Sequence, residues 1–109
     1  MKIKNFYKAK RWKRIRNIAL KRDSYLCQDN VRYGKRIEAN YVHHIIPLDI
    51  CLIENKALAY DLKNLISLSG TAHDKLHDRV NDKLTEAGKQ LLIKTFKSYG
   101  REIINKYNL

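Results

Sequence analysis

The chain has 109 residues, of which 44% are apolar and 31% are charged, and its net charge is +12. This length suits one domain with a modest core, and the composition excludes a membrane-embedded or disordered protein. The apolar runs are too short to cross a bilayer, and the amino terminus lacks the apolar run of an export signal. We therefore expect a cytoplasmic protein whose two cysteines are reduced.

The positive charge is concentrated at the amino-terminal end. Residues 1–22 contain ten Lys and Arg residues and no acidic residue, whereas the rest of the chain carries 13 basic and 11 acidic residues. Such a basic segment on a nearly neutral body is typical of proteins that bind a polyanion, and nucleic acid is favoured over an anionic membrane. A face that merely keeps the protein soluble is the simpler alternative.

The first predicted element is an amphipathic helix over residues 9–22. Its apolar stripe contains Trp12, Ile15 and Ala19 at helical spacing, with Lys and Arg on the other side. We expect the stripe to face the core and the helix to end at Asp23.

Shorter elements follow this helix. Residues 25–27 are predicted to be extended and residues 28–30 to form a turn, with a second turn at Gly34. A strand is predicted over residues 38–46, which are rich in aromatic and β-branched residues and precede a proline. Residues 48–60 are predicted to be a loop with one helical turn at residues 57–60, which precede Asp61.

The second half of the chain contains one more predicted strand and two helical regions. The strand covers residues 64–68. A helix is predicted to begin near Thr71 or Ala72 and to carry His73 and His77 on one face. An apolar stripe over residues 84–107 predicts a long packing helix with a possible interruption at Gly100.

The histidines are the candidate chemical groups. All four, His43, His44, His73 and His77, fall within 35 residues. On a strand, His43 and His44 point to opposite faces or splay at its end. Three imidazoles can hold a divalent cation, leaving the fourth as a general base. For a single histidine the alternative is a hydrogen-bonded, half-buried ring, but the paired arrangement favours a metal site.

Around these histidines the sequence resembles the HNH endonucleases, whose core is the ββα-metal finger. Upstream residues look like the amino-terminal half of small phage HNH proteins, many of which are encoded beside the DNA-packaging terminase. The resemblance covers residues 7–79, and the spacing of Asn64, His73 and His77 also looks like that of the DNase colicins. The matching segments are residues 12–23, 25–28, 42–48, 61–68 and 73–77.

This resemblance implies a role for each matching residue. His43 would be a metal ligand and His44 the general base that takes a proton from the attacking water. Asn64 would orient the loop that holds His44. His73 and His77 would complete the protein ligands of one divalent ion, which we expect to be Mg, Mn, Ni or Zn.

The basic helix would then follow the phosphates of double-stranded DNA. The products of cleavage would carry 5′-phosphate and 3′-hydroxyl ends. The candidate DNA-binding residues are Lys10, Arg11, Lys13, Arg14 and Arg16.

The sequence departs from many HNH proteins in lacking two CxxC pairs that hold a structural zinc. Cys27 is present, but Asn30 stands at the position of its partner, and the second pair would fall at Ser69 and Ala72. One possible ligand in four cannot hold zinc. We therefore expect no structural zinc, and we expect Cys51 to be a small buried apolar residue.

The predicted fold class is α+β, a ββα-metal finger with an amino-terminal basic helix and a long carboxy-terminal helix. A single nuclease domain would consist of a basic helical arm at about residues 1–24, a core at about 37–79 and a helical brace at about 83–109. By apolar packing, the brace would replace the missing zinc.

The predicted function is that of a metal-dependent DNA endonuclease, a phage nicking or DNA-processing enzyme. The terminase large subunit is a partner implied by resemblance, and no membrane is expected to be involved. One alternative is a non-cleaving basic DNA-binding module with a structural metal ion. Another is a basic interaction protein for RNA or for an acidic protein.

Overall fold

The computed structural model describes residues 3–78, 80–81 and 83–109, and Lys2 of the basic segment lies outside these ranges. The fold is α+β, as predicted. The helices are α1 (Ile3–Lys8), α2 (Lys10–Arg22), α3 (Gln28–Val31), α4 (Leu48–Glu54), α5 (Gly70–Asp74), α6 (Glu86–Phe96) and α7 (Ser98–Tyr107), with 3₁₀ turns at Lys56–Tyr60 and Leu62–Asn64. The strands are β1 (Tyr41–His44), β2 (Leu65–Leu68), β3 (His77–Asp78) and β4 (Lys83–Leu84).

Helix α2 confirms the predicted basic amphipathic helix. Trp12, Ala19 and Leu20 are buried on its inner face, while most of its Lys and Arg side chains are exposed. The helix ends at Asp23, whose backbone N–H donates to the carbonyl of Ala19, while the N–H of Ser24 donates to the carbonyl of Lys21. Burial of the apolar stripe orients the basic face toward solvent.

Arg22 and Asp23 join the end of α2 to strand β2. The guanidinium of Arg22 donates to the carbonyl oxygens of Leu62 and Leu65, both at 2.6 Å. Asp23 pairs with Arg22 at 2.8 Å and accepts the backbone N–H of Ser67 at 3.1 Å. These contacts fix the basic helix relative to the strand pair.

Strands β1 and β2 pair antiparallel, with His43 opposite Ile66 and His44 opposite Leu65. Strand β1 is shorter than the strand predicted over residues 38–46, because only Tyr41–His44 have a partner in β2. Its last residue, His44, is therefore followed at once by irregular backbone, which lets neighbouring side chains turn toward one cavity.

Two predictions about the middle of the chain were wrong. Residues 28–30 belong to the short helix α3 rather than to a turn. The predicted loop over residues 48–60 contains helix α4, whereas the 3₁₀ turn at Lys56–Tyr60 matches the predicted helical turn. Leu48, Ile50 and Cys51 of α4 are buried against the rest of the core, so tertiary packing stabilises this helix.

The carboxy-terminal region consists of two helices rather than one. The interruption lies at Lys97, which has φ 56° and ψ −128°, and not at Gly100, which lies inside α7. At Gly100 the two helices meet: a Cβ atom there would lie 2.7 Å from the carbonyl oxygen of Leu92. A side chain at this position would push α6 and α7 apart.

One hydrophobic cluster connects the predicted arm, finger and brace. Phe6 of α1, Ile46 after β1, Leu92 of α6 and Ile103 of α7 are all fully buried or nearly so within it. Glu54 of α4 also accepts hydrogen bonds from the carboxy-terminal helix. Within the ranges that the structure describes, no helix is long and apolar enough to span a bilayer.

Candidate active site

The four histidines converge on one cavity of about 170 Å³. His43 and His44 come from the end of β1, His73 from α5 and His77 from β3. His43 and His44 therefore splay toward the same space at the strand end. The other residues lining the cavity are Tyr7, Val42, Pro47, Leu48 and Leu84.

His43 and His73 form the closest described pair of rings in this cavity. Their centres are 5.4 Å apart and their planes are inclined at 73°. Tyr41 stacks on His73, with ring centres 4.9 Å apart and an angle of 9°. His43 is buried, so both rings are held by packing before any ligand binds.

His77 does not share a helical face with His73, and that prediction was wrong. Helix α5 ends at Asp74, and His77 lies on β3, opposite Leu84 of β4. The short hairpin nevertheless places His77 at the wall of the same cavity. The helix stops because Leu76 turns into the core, where its carbonyl accepts the backbone N–H of Thr85.

His44 has a defined orientation and tautomer. Its Nε2 lies 3.0 Å from the carbonyl oxygen of Ala59. Because a carbonyl only accepts, the neutral ring carries its proton on Nε2 and presents a lone pair at Nδ1. Trp12 stacks on the ring at 4.8 Å and 26°. Burial lowers the pKa of His44, although the bond to Ala59 opposes this, so the ring is neutral at pH 7.

Asn64 holds the segment that follows His44. Its Oδ1 accepts the backbone N–H of Ile46 at 2.6 Å, and its Nδ2 donates to the carbonyl of Leu58 at 3.1 Å. The backbone carbonyl of Asn64 also accepts the N–H of Ile45. Asn64 is fully buried and does not line the histidine cavity, so its side chain is connected to the site through the backbone that it bonds.

One pair of imidazoles in the cavity has the separation that two ligands of a divalent metal ion require. Two imidazoles whose nitrogens lie about 2.1 Å from one ion have ring centres about 5 Å apart, close to the separation of His43 and His73. Across residues 3–78, 80–81 and 83–109, no three His, Cys, Asp or Glu side chains form a complete metal-binding group. The pair of His43 and His73 is thus the core of the candidate metal centre, with His77 beside it.

Electrostatics keeps His43 suited to this role. Burial, together with the charges that His73, His44 and His77 would carry, lowers the pKa of His43 to about 3. Only a neutral imidazole can donate a lone pair to a metal. His43 is therefore available as a ligand throughout the physiological pH range.

Only some of the predicted DNA-binding residues lie beside the candidate site. Lys13 and Arg16 line a groove of about 390 Å³ beside the histidine cavity. Arg11 instead lies over the ring of Tyr60, with its guanidinium carbon 3.8 Å from the ring centre. Lys10 and Arg14 are exposed on the same helix. The structure thus brings Lys13 and Arg16, rather than all five cations, next to the candidate site.

The positions of the CxxC pairs lie together in space, but their residues cannot hold zinc. Cys27 and Ala72 belong to one small buried cluster, and the hydroxyl of Ser69 accepts the backbone N–H of Ala72. The backbone N–H of Asn30 is bonded to the carbonyl of Cys27. Cys51 is fully buried, as predicted, and its thiol donates to a backbone carbonyl.

Two aromatic residues at the site escaped sequence reasoning. Trp12 was predicted only as part of the apolar stripe, and Tyr7 had no role, yet Trp12 stacks on His44 and Tyr7 lines the histidine cavity. The available signal was their position: both are aromatic residues within the basic segment.

Comparison with known proteins adds one match. No protein-family model and no curated protein matches the chain. Among solved structures, the chain is similar to the HNH endonuclease of the deep-sea thermophilic bacteriophage GVE2, whose crystal structure contains a manganese ion. The two chains share 34% sequence identity with a TM-score of 0.58, over 65% of this chain and 73% of the phage protein.

Proposed function

Because the chain belongs to the HNH endonuclease family, we propose that it is a metal-dependent endonuclease that hydrolyses phosphodiester bonds in double-stranded DNA. The observation that carries this proposal is the cavity where the fixed, neutral His44 lies beside the His43–His73 pair. The exposed Lys13 and the half-buried Arg16 of α2, next to this cavity, suit the phosphates of DNA. The manganese ion in the phage endonuclease supports a divalent metal.

In this proposal, His43 and His73 hold the metal ion, with His77 as a third candidate ligand. When bound, a divalent cation stabilises negative charge on the phosphate and on the departing oxygen. The residues of the chain supply orientation and proton transfer. Tyr41 keeps the ring of His73 in place by stacking, and Asn64 fixes the segment after β1.

His44 acts as the general base. Its Nδ1 accepts a proton from the water that attacks phosphorus, while its Nε2–H remains bonded to the carbonyl of Ala59. The new bond joins the water oxygen to phosphorus, and the bond from phosphorus to the 3′-oxygen breaks. The 3′-oxygen takes a proton from solvent, which leaves 5′-phosphate and 3′-hydroxyl ends.

The direct test is a supercoiled-plasmid assay with Mg, Mn, Ni or Zn and a chelator control. We expect conversion to open-circular or linear DNA that the chelator abolishes. His44→Ala should lower the rate at least about 100-fold, because a general base contributes about that much or more, while DNA affinity stays unchanged. Intact plasmid in every metal, with normal DNA binding, would favour the non-cleaving DNA-binding module instead.

Metal binding can be tested without activity. Manganese added to chelator-treated protein should raise its Tm, because a ligand that binds only the folded state stabilises it. His43→Gln should abolish this rise, whereas His77→Gln measures the contribution of the third candidate ligand. Metal analysis of the washed protein tests the separate prediction that no structural zinc is bound.

We also propose that the protein is a phage nicking or DNA-processing enzyme of the host cytoplasm that acts with the terminase large subunit. The phage source of the similar endonuclease supports a phage origin, and free, buried Cys27 and Cys51 suit a reducing compartment. Co-purification of the two proteins at moderate salt is the test of the terminase partnership. If the two proteins do not associate, the terminase large subunit is not a partner of this protein.

A further inference from the structure

Tyr7 lies at the boundary between the histidine cavity and the neighbouring basic groove. It is the one residue that lines both spaces among those described around them. The groove continues from Tyr7 along α2, where Trp12, Lys13, Arg16 and Asn17 form its walls. A nucleic acid strand that reaches the cavity from this groove must pass over Tyr7.

The ring of Tyr7 is held in place and yet remains accessible. It meets Phe6 edge-on at 5.3 Å and 89°, and Trp12 at 5.6 Å and 80°. Even so, 44% of the residue is exposed. Burial of part of the side chain raises the pKa of Tyr7, so the phenol adds no negative charge beside a phosphate. An ordered, exposed, neutral ring is a surface on which a nucleoside can pack.

A nucleic acid strand could reach the cavity from the side of His77 or from the side of Tyr7, and the charges on these two sides differ. Beyond His77, a further depression is lined by Asp74 and Asp78. On the opposite side, beyond Tyr7, the groove carries Lys13 and Arg16. Phosphates are attracted to the cationic side. A bound strand is therefore expected to extend from the cavity across Tyr7 toward Lys13 and Arg16.

We propose that Tyr7 is a substrate-binding residue whose ring packs against the nucleoside next to the scissile phosphate, on the side of Lys13 and Arg16. This inference rests on the proposed DNA endonuclease function and adds the direction in which the strand leaves the site. Tyr7 contributes through its ring face, so the hydroxyl group is dispensable.

The test compares Tyr7→Ala and Tyr7→Phe by steady-state cleavage of a DNA duplex. Tyr7→Ala should raise KM about tenfold with kcat nearly unchanged, because one base–aromatic stack contributes roughly that factor to affinity. Tyr7→Phe should behave as the wild type. Tyr33→Ala is the matched control, since Tyr33 is also exposed but lines the cavity beneath α3, away from the histidines.

A binding measurement separates this inference from the function on which it rests. In a His44→Ala background, fluorescence anisotropy with labelled DNA should show a Kd about tenfold higher for Tyr7→Ala than for Tyr7→Phe. Equal Kd values would overturn the role of Tyr7 even if the wild type cleaves DNA. A fall in kcat with KM unchanged would also overturn it, because it would show that the ring only supports His44. Absence of cleavage by the wild type, with the Kd difference present, would overturn the endonuclease function alone.

Discussion

Asn64 connects the segment after His44 to the turn that precedes β2, and its amide is bonded at both ends inside the protein. Asn64→Ala would leave the backbone N–H of Ile46 and the carbonyl of Leu58 buried without their partner. We expect a loss of about 3 kcal/mol in the free energy of unfolding, measured by urea denaturation. Asn55→Ala, which removes one exposed bond to Ala57, should cost less than about 1 kcal/mol. Similar losses in the two variants would contradict this role.

The buried histidines make the stability of the metal-free protein depend on pH. In the unfolded chain His43 binds a proton near pH 6.5, whereas in the folded protein its pKa is about 3. Between these values the unfolded state holds more protons, so the free energy of unfolding rises with pH. The contribution is fully present above pH 6.5 and is lost as the pH falls toward 3.

For His43 alone the expected slope is about 1.4 kcal/mol per pH unit, with a further contribution from His44, whose pKa is also lowered. Urea denaturation at pH 7, 6 and 5, in the presence of a chelator, measures how the free energy of unfolding changes with pH. His43→Gln removes the titrating group and should give a distinctly shallower dependence. The same slope in both proteins would show that His43 is protonated in the folded state.

At the scale of elements, the contact between α6 and α7 depends on the absence of a side chain at Gly100. Gly100→Ala should destabilise the protein by about 2 kcal/mol, although alanine favours helices, because its Cβ would meet the backbone of Leu92. Gly70→Ala is the control, since its Cβ would only touch Tyr41 at an ordinary 3.5 Å. Thermal unfolding compares them, and a stabilised Gly100→Ala protein would contradict the close approach.

The sequence predicts well those elements whose secondary structure is determined by the spacing of their own apolar residues. Helix α2 has an apolar stripe at helical spacing, and β2 is a short apolar run between turn residues. Helix α4 was missed because its seven residues carry too few polar positions to display a helical period.

The end of α5 depends on packing that local sequence does not encode. A Cβ atom at Gly88 would lie within 3 Å of the carbonyl oxygen of Leu76, so the start of α6 occupies the space where α5 would continue. Only the folded arrangement shows this. The four histidines could be predicted as one site from their number and spacing. The place of His77 on a strand could not be predicted, because it depends on this packing.

At the scale of the whole molecule, the position of charge predicts how DNA binding responds to salt. Lys13→Gln or Arg16→Gln should each reduce the slope of log Kobs against log salt concentration by about 0.9, because each neutralised phosphate releases its counterions. Arg101→Gln, an exposed cation on α7, should leave the slope unchanged. Fluorescence anisotropy across a series of KCl concentrations measures all three. Equal reductions of this slope in the three variants would show that the salt dependence reflects the net charge of the protein and not the cations of the groove.

The single core that contains both Phe6 and Ile103 has a consequence for the order of events during synthesis. On the ribosome, α1, α2 and the histidine segments emerge well before α7. The core that fixes them cannot close until Ile103 has left the exit tunnel. We therefore expect the histidine cavity to become rigid only after residue 103 has left the exit tunnel, and a chain that stalls before α7 should lack an ordered site.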